Sequence, residues 1–273
     1  MAENLLKGKK GIIFGALNDQ SIAWKTAIQA HAQGAELVLT NAPVAMRMGE
    51  IHELAKQVGG APVVPADATS VEDLTNLFEQ AMEHFGGQVD FVLHSIGMSP
   101  NVRKGKHYTD INYNWLQTTL DVSAISLHKT LAVAKKLDAI REWGSVVALT
   151  YIAAQRIFPD YGDMADAKSL LESITRSFGY HYGVERKVRI NTVSQSPTIT
   201  TAGSGVKGFD EFIAYSESMS PLGNADGTAC ADYCISLFSD FTRYVTMQNL
   251  FHDGGFSNTG VSQEIIEKFG PNA

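Results

Sequence analysis

The sequence lacks a surplus of positive charge and a long apolar run. Among 273 residues, 22 are lysine or arginine and 29 are aspartate or glutamate, so the formal net charge is −7. This balance argues against general nucleic-acid binding, because a phosphate backbone requires a basic surface. The opening stretch, MAENLLKGKKGIIFG, holds no extended apolar segment. We therefore expect neither a signal peptide nor a membrane span.

Cysteine is also scarce, with two residues in the stretch CADYC. Cys230 and Cys234 are four residues apart, so a helix would place both on one face. No histidine pair lies nearby to complete a zinc site, which favours two small buried apolar side chains and no metal. With so few cysteines, we expect a reducing cytoplasm as the compartment.

Apolar runs of strand length alternate with amphipathic segments of helix length along the chain. The predicted strands are residues 11–14, 35–40, 61–67, 89–97, 144–151, 188–197 and 249–256. The predicted helices are residues 21–34, 70–86, 114–137 and 161–183. Such alternation is typical of a parallel sheet covered on both faces. We predict an α/β fold, a doubly wound parallel sheet of the Rossmann type, forming a single domain over residues 1–273.

In this fold a ligand binds beyond the carboxyl ends of the strands. The residues expected at that edge are Gly15, Thr40, Asp67, residues 94–97, Thr150 with Tyr151, and residues 194–197. The segment 198–220, rich in threonine, glycine and serine, interrupts the alternation at the same edge. We predict that it forms a mobile substrate-covering loop.

The turn after the first strand reads GALNDQSIA, with Gly15 as its one glycine. A generic dinucleotide fingerprint has three glycines, so an ordinary strand-to-helix loop remains an alternative. The helix start at Ser21 and Ile22 would still offer free N–H groups to a pyrophosphate. After the second strand, TNAP supplies neither an acid nor a base, and Arg47 is the nearest base. This favours NADH, with NADPH left open.

The stretch 150–169 contains two tyrosines and a lysine with unusual spacing. Tyr161 and Lys168 are seven residues apart, so a helix would place them two turns apart on one face, with Tyr151 ten residues upstream of Tyr161. One interpretation is core packing for the tyrosines and a solvated lysine. The other is chemistry, because a neutral phenol can donate a hydrogen bond to a developing enolate.

Four stretches together resemble the bacterial enoyl-[acyl-carrier-protein] reductases of the short-chain dehydrogenase/reductase superfamily, over nearly the whole chain. They are GALNDQSIA, HSIG at 94–97, the pattern Tyr-x9-Tyr-x6-Lys, and HDGGFS near the C-terminus. The resemblance implies hydride transfer from the nicotinamide to C3 of a trans-2-enoyl thioester, carried by acyl carrier protein. It also implies a homotetramer.

The resemblance implies roles for individual residues. Tyr161 would hydrogen-bond the thioester carbonyl, Lys168 would hold the nicotinamide ribose, and Tyr151 would line the pocket in a role left unassigned. Ser99 would face the substrate through its backbone. The implied cofactor-binding set is Gly15, Ser21, Ile22, Ala42, Asp67, Ala68, Ile96, Lys168, Thr198, Ile199, Thr200, Thr201 and Ala202. Asp67 would bond the adenine amino group or, alternatively, cap the turn before Ser70.

Several positions depart from the family pattern. Ser196-Pro197-Thr198 replaces the usual Gly-Pro-Ile, and Asp166 replaces a small apolar residue; we expect the side chain of Asp166 to be solvated. After the substrate loop the family often shows basic residues suited to an acidic carrier. Here Lys207 is followed by Asp210 and Glu211, which puts docking there in doubt. The cations Arg103, Lys104 and Lys106 are a candidate substitute or, equally, a solvated loop.

Two other functions stay open at this point. The first is a short-chain carbonyl reductase, in which the hydroxyl of Thr150 would replace the serine that such enzymes carry about a dozen residues before the tyrosine. The second is a non-catalytic nucleotide-binding protein, against which the Tyr161 and Lys168 pair argues.

Overall fold

A computed structural model of the chain describes residues 4–47, 50–200 and 208–270. Within these ranges six parallel strands form one sheet in the order β2-β1-β3-β4-β5-β6. The strands are β1 (Lys10–Phe14), β2 (Glu36–Thr40), β3 (Val89–His94), β4 (Ile140–Thr150), β5 (Arg189–Gln195) and β6 (Asn249–His252). The predicted α/β class with a parallel sheet is confirmed.

Helices cover both faces of this sheet. They are α1 (Ile22–Ala32), α2 (Pro43–Met46), α3 (Ile51–Gln57), α4 (Val71–Phe85), α5 (Pro100–Arg103), α6 (Tyr113–Leu120), α7 (Ser126–Lys136), α8 (Met164–Arg186), α9 (Phe209–Met219), α10 (Gly227–Phe238) and α11 (Gln263–Lys268). Successive strand residues point to opposite faces. Ile12 accordingly joins the apolar cluster under α4, α7 and α8, whereas Ile13 joins the cluster under α1, α3 and α10.

Helix α4 shows how local sequence sets these boundaries. The Oγ atom of Ser70 accepts a hydrogen bond from the N–H of Asp73 at 3.1 Å, so Ser70 is the predicted N-cap. Glu72 and Asp73 lie in the first turn, where a carboxylate suits the helix dipole. Gly86 ends the helix in the left-handed conformation, with φ 62°.

The predicted strand at 61–67 is wrong. This segment forms an isolated bridge in which Leu39 pairs with Val63. The N–H of Leu39 donates to the carbonyl of Pro62, and the N–H of Val64 donates to the carbonyl of Leu39. Pro62 and Pro65 have no N–H to extend the ladder. The segment therefore follows the edge of the sheet without becoming a strand.

The two long predicted helices need correction at particular residues. The helix expected over 114–137 is observed as α6 and α7, joined by a π-helical turn at Asp121–Ile125. The helix expected over 161–183 begins at Met164, and Tyr161 instead ends a short 3₁₀ turn, Pro159–Tyr161. Gly162 separates the two with φ 53° and ψ −140°, so Tyr161 and Lys168 do not share a helix.

The interval 198–220, predicted as a loop, contains helix α9. Residues 201–207 lie outside the described residues, so Thr201, Ala202 and Lys207 cannot be placed. Among the helices of the described ranges, none is long and apolar enough to cross a membrane.

Candidate active site

The strand order reverses between β1 and β3, and the carboxyl ends of these strands meet at Gly15 and Ser95. Gly15 has φ 92°, and a Cβ added there would collide with the backbone carbonyl oxygen of Ser95. Glycine is required at this position for both reasons. One glycine is therefore enough to bring the first turn close to the neighbouring strand, although the generic fingerprint is missing.

The start of α1 is organised by Ser21. Its Oγ atom accepts hydrogen bonds from the N–H groups of Leu17, at 3.1 Å, and Asn18, at 3.2 Å. The turn is thereby folded onto the helix N-terminus, and Ile22 is the first helical residue. This geometry suits an anionic pyrophosphate, because the first N–H groups of a helix lack partners within the helix.

Beside this turn lies a cavity at the carboxyl edge of the sheet. Its lining comprises Phe14, Asn41, Ala42, Ala66, Asp67, Ala68, Thr69, Ile96 and Val122. The cavity therefore brings together four of the predicted cofactor residues, namely Ala42, Asp67, Ala68 and Ile96. Asp67 also caps the turn before Ser70, which was the alternative role predicted for it. Its Oδ1 atom accepts hydrogen bonds from the N–H and the hydroxyl of Thr69, both at 2.8 Å.

The two tyrosines meet at the end of β4. The rings of Tyr151 and Tyr161 have their centroids 5.1 Å apart, with an interplanar angle of 52°. Burial raises the pKa of both phenols above the ordinary value. Both are therefore neutral donors at neutral pH. The Oη atom of Tyr151 is buried and has no hydrogen-bond partner among the described residues.

Lys168 projects from α8 toward the same strand end. Its side chain is buried, and its Nζ atom donates to the carbonyl of Leu149 at 2.8 Å. A Cβ added at Gly97 would lie 3.7 Å from Nζ, so the ammonium also borders the turn after β3. Burial lowers the pKa of Lys168 to about 8, against the opposing effect of the carboxylate of Glu172.

An aromatic wall surrounds Tyr151. Phe158 lies 5.4 Å from Tyr151 between ring centroids, and Phe212 of α9 meets Phe158 edge-on at 4.9 Å. Phe256, in the stretch HDGGFS, lies 6.3 Å from Phe158. The sequence analysis missed Phe158 and Phe212, because no periodicity links segments so far apart. The wall provides an apolar surface suited to an acyl chain.

Sequence reasoning also missed Asp163, which is completely buried. Its carboxylate accepts hydrogen bonds from the Oγ of Ser99 at 2.6 Å, the Nδ2 of Asn101 at 2.8 Å and the Oγ1 of Thr119 at 2.9 Å. Asp163 lies two residues after Tyr161. The cluster therefore ties the tyrosine segment to the chain after β3 and to α6.

The remaining predicted residues lie near the end of β5. The hydroxyl of Thr198 donates to the carbonyl of Ser196 at 2.9 Å, and the side chain of Ile199 is exposed. Thr200 follows in the described part of the chain. Their predicted contacts with the cofactor stay predictions.

Two further sequence predictions can be compared with the structure. Cys230 and Cys234 are both buried and unpaired, as expected. Asp166, expected to be solvated, is partly exposed, and its carboxylate accepts a hydrogen bond from the exposed hydroxyl of Tyr108, at 3.2 Å to its Oδ2 atom. Within 4–47, 50–200 and 208–270, no three His, Cys, Asp or Glu side chains are grouped to hold a metal ion.

A nicotinamide dinucleotide fits this edge of the sheet. The close contact of Gly15 with Ser95 leads the chain directly into the start of α1, where free N–H groups suit a pyrophosphate, and the lined cavity beside it contains four of the residues predicted for the cofactor. Lys168 uses one of its donors on Leu149, which leaves two for ribose hydroxyls. The fold and this edge together are typical of dinucleotide-dependent oxidoreductases.

The model of the family described as Enoyl-(Acyl carrier protein) reductase matches residues 15–257, and the chain belongs to this family. It is 33% identical over 268 residues to the NADH enoyl-[acyl-carrier-protein] reductase FabI of Rickettsia bellii, covering 97% of this chain and 100% of that protein.

Solved structures of related proteins agree with this assignment. A crystal structure of a FabI–NADH complex from Alistipes finegoldii is 65% identical, with a TM-score of 0.96 and coverage of 97% of this chain and 94% of that one. The NADH enoyl-[acyl-carrier-protein] reductase of Aquifex aeolicus is 30% identical, with a TM-score of 0.87 and coverage of 94% and 99%. The doubly wound fold inferred from sequence is thereby confirmed.

Proposed function

We propose that this protein is an NADH-dependent enoyl-[acyl-carrier-protein] reductase, which reduces a trans-2-enoyl thioester to the saturated acyl thioester. This is the last reductive step of an elongation cycle in type II fatty acid synthesis. The observation that carries the proposal is that two neutral phenols, Tyr151 and Tyr161, and the buried ammonium of Lys168 are gathered at the carboxyl end of β4.

Tyr161 is the proposed hydrogen-bond donor to the thioester carbonyl. Negative charge develops on that oxygen when C3 is reduced, and a fixed donor stabilises it where it forms. The raised pKa keeps the proton on the phenol at neutral pH, so the site brings no negative charge of its own toward the enolate. The apolar rings around Tyr151 lower the local dielectric constant, which strengthens this hydrogen bond.

Lys168 is the proposed anchor for the nicotinamide ribose, and Ile96 lies at the border of the adjoining cavity. When bound there, NADH supplies the hydride that C3 receives. The turn at Gly15, the start of α1 at Ser21 and Ile22, and the segment 198–202 are the proposed pyrophosphate side. Ser99 is the proposed backbone contact to substrate, since its hydroxyl is already bonded to Asp163.

The carbonyl-reductase alternative requires a free hydroxyl at Thr150. The Oγ1 atom of Thr150 instead donates to the Oε1 of Glu172 at 3.0 Å, and Thr150 is buried. This hydroxyl is thus committed away from a substrate, which favours the enoyl reductase. A non-catalytic role has no comparable observation in its favour.

The absorbance loss of reduced nicotinamide tests the proposal. A trans-2-enoyl thioester is supplied with NADH and, in a separate run, with NADPH. We expect rapid oxidation of NADH, because Asp67 is the charged residue of the cavity lining and no base lines it to hold a 2′-phosphate. Failure with both cofactors, on short and long acyl chains, would contradict the proposal.

We also propose a homotetramer in the cytoplasm. Two buried, unpaired cysteines suit a reducing compartment. On α8 the side chains of Tyr180 and Val184 are 58% and 61% exposed, one turn apart on one helix face, which suits packing against a second copy. Sedimentation velocity should give a tetramer, and a monomer at micromolar concentration would contradict the assembly.

Docking of the carrier is proposed at the basic patch, defined as Arg103, Lys104 and Lys106. All three side chains are exposed, and none forms an ion pair within the described ranges. The patch follows Asn101, which is bonded to Asp163 beside the tyrosine segment. It is thus held near the proposed site and offers positive charge to an acidic carrier.

Reversing the charge of the basic patch should raise KM for a carrier-bound enoyl substrate about tenfold at low ionic strength. The variant is Arg103→Glu/Lys104→Glu/Lys106→Glu. Its KM for the uncharged N-acetylcysteamine thioester should stay unchanged, because the patch does not form the pocket.

The matched control is Lys7→Glu/Lys136→Glu/Lys187→Glu, which also reverses three charges. These three lysines are exposed at the opposite, amino edge of the sheet. Equal rises of KM in the two charge-reversal variants would place carrier docking elsewhere.

A further inference from the structure

Glu172 is a buried carboxylate that the proposed chemistry does not yet use. It lies on α8, four residues after Lys168, with a relative exposure of 5%. Residues four apart on a helix share one face. A buried glutamate is uncommon unless its charge is compensated. The contacts around Glu172 should therefore explain why its carboxylate is buried.

Both oxygens of Glu172 are bonded to the chain that leaves β4. The Oε1 atom accepts from the hydroxyl of Thr150 at 3.0 Å, and Oε2 accepts from the Nε2 of Gln155 at 3.1 Å. Thr150 stands between Leu149, whose carbonyl accepts from Lys168, and Tyr151. One carboxylate and one ammonium of α8 therefore hold two consecutive residues at the end of one strand, directly before Tyr151.

Three other titratable groups near the ammonium are neutral, and the carboxylate of Asp253 acts on the phenol of Tyr151. His94 of β3 is fully buried, and burial, followed by the charge of Lys168, lowers its pKa to about 3. Burial raises the pKa of the Tyr151 and Tyr161 phenols. Among the described residues, Glu172 is the one whose negative charge favours the protonated form of Lys168.

Glu172 itself has competing influences. Burial raises its pKa above the ordinary value, while the hydrogen bonds from Gln155 and Thr150 and the charges of Arg176 and Lys168 act in the opposite direction. Four compensating groups therefore surround one buried carboxylate. Burying a charge costs desolvation free energy that an apolar side chain would avoid, so packing alone does not explain a glutamate here.

We propose that Glu172 is a positioning residue for the reduction. Through Thr150 it fixes the strand end that presents Tyr151 and the carbonyl of Leu149, and its charge keeps Lys168 as the ammonium that holds the nicotinamide ribose. This inference rests on the proposed function. It adds that Glu172, a residue outside the pocket lining, controls the protonation of Lys168, the proposed cofactor anchor.

The test is Glu172→Gln, which keeps the size and an oxygen for Thr150 but removes the charge. Lys168 acts while protonated, so activity and NADH affinity are lost as pH rises through its pKa, about 8. Removal of a charge that raises this pKa moves the loss to lower pH. We expect the alkaline midpoint of kcat/KM to fall by about one pH unit.

NADH binding gives a second readout that does not depend on turnover. Fluorescence titrations of NADH across the same pH range should show the weakening of Kd at correspondingly lower pH in Glu172→Gln. If the wild type binds NADH but reduces no enoyl thioester, the proposed function fails while this titration still tests the role of Glu172.

Two variants separate charge from packing. Thr150→Val breaks the tie to the strand but keeps the charge, so kcat should fall with the alkaline midpoint unchanged. Glu185→Gln, on the exposed part of α8, should change neither quantity. A Glu172→Gln variant with lower melting temperature or activity, but wild-type pH profiles for both kcat/KM and NADH Kd, would overturn the proposal.

Discussion

Replacing Tyr161 with phenylalanine is expected to lower kcat/KM for an enoyl thioester by about 10²-fold, the usual cost of removing one oxyanion donor. The substitution deletes the hydroxyl and keeps the ring, which stays packed against Tyr151 at the end of β4. Because the lost hydrogen bond forms only as charge develops on the thioester oxygen, the loss should fall mainly on kcat. Steady-state kinetics of NADH oxidation measures both parameters.

Tyr151→Phe is the matched control for this prediction. Its Oη atom is buried without a described hydrogen-bond partner, so removing it leaves no other polar group unpaired. We expect this variant to lose less than about tenfold in kcat/KM. NADH affinity should be unchanged in both variants, since neither loses the ammonium of Lys168. Equal losses for Tyr151→Phe and Tyr161→Phe would mean that the two phenols share the donor role.

The spacing of Tyr161 and Lys168 predicted one shared helix face, and that prediction of local structure is wrong. A shared helix was expected, whereas Pro159 begins a 3₁₀ turn and Gly162 takes a left-handed φ of 53° before α8 starts. The residues lie at one edge because that turn and α8 directly follow the carboxyl end of β4. The order of the elements therefore puts both residues after the same strand, whereas the helical period does not apply across the break.

Sequence patterns succeed where the cause is local. The need for Gly15, the Ser70 cap of α4 and the alternation of strands and helices are each set within a few neighbouring residues. The prediction of a strand at 61–67 was wrong because it relied on the apolar run and gave too little weight to the two prolines, which lack N–H groups for a ladder. The partners of Glu172 and the aromatic wall come from separate elements, so no spacing in the chain could reveal them.

Nothing in the sequence indicated the buried hydrogen-bond cluster around Asp163. The three donors to its carboxylate come from two other segments of the chain, so no local pattern links them. Asp163→Ala should lower the free energy of unfolding by about 3 kcal/mol, since three hydrogen bonds to a buried carboxylate are lost together. The hydroxyl of Thr119 can still donate to the carbonyl of Trp115, at 2.9 Å, which limits part of the cost. Ser99 has no second acceptor among the described residues.

The melting temperature of Asp163→Ala should accordingly fall by roughly 10 °C, as followed by circular dichroism. Asp166→Ala is the control, because that half-buried carboxylate in the first turn of α8, three residues after Asp163, holds one hydroxyl, that of Tyr108. Its effect should stay within about 0.5 kcal/mol. Since Asp163 lies two residues from Tyr161, its loss should also reduce kcat well below the melting transition. Equal melting temperatures for the two alanine variants would show that the buried cluster does not hold the tyrosine segment in place.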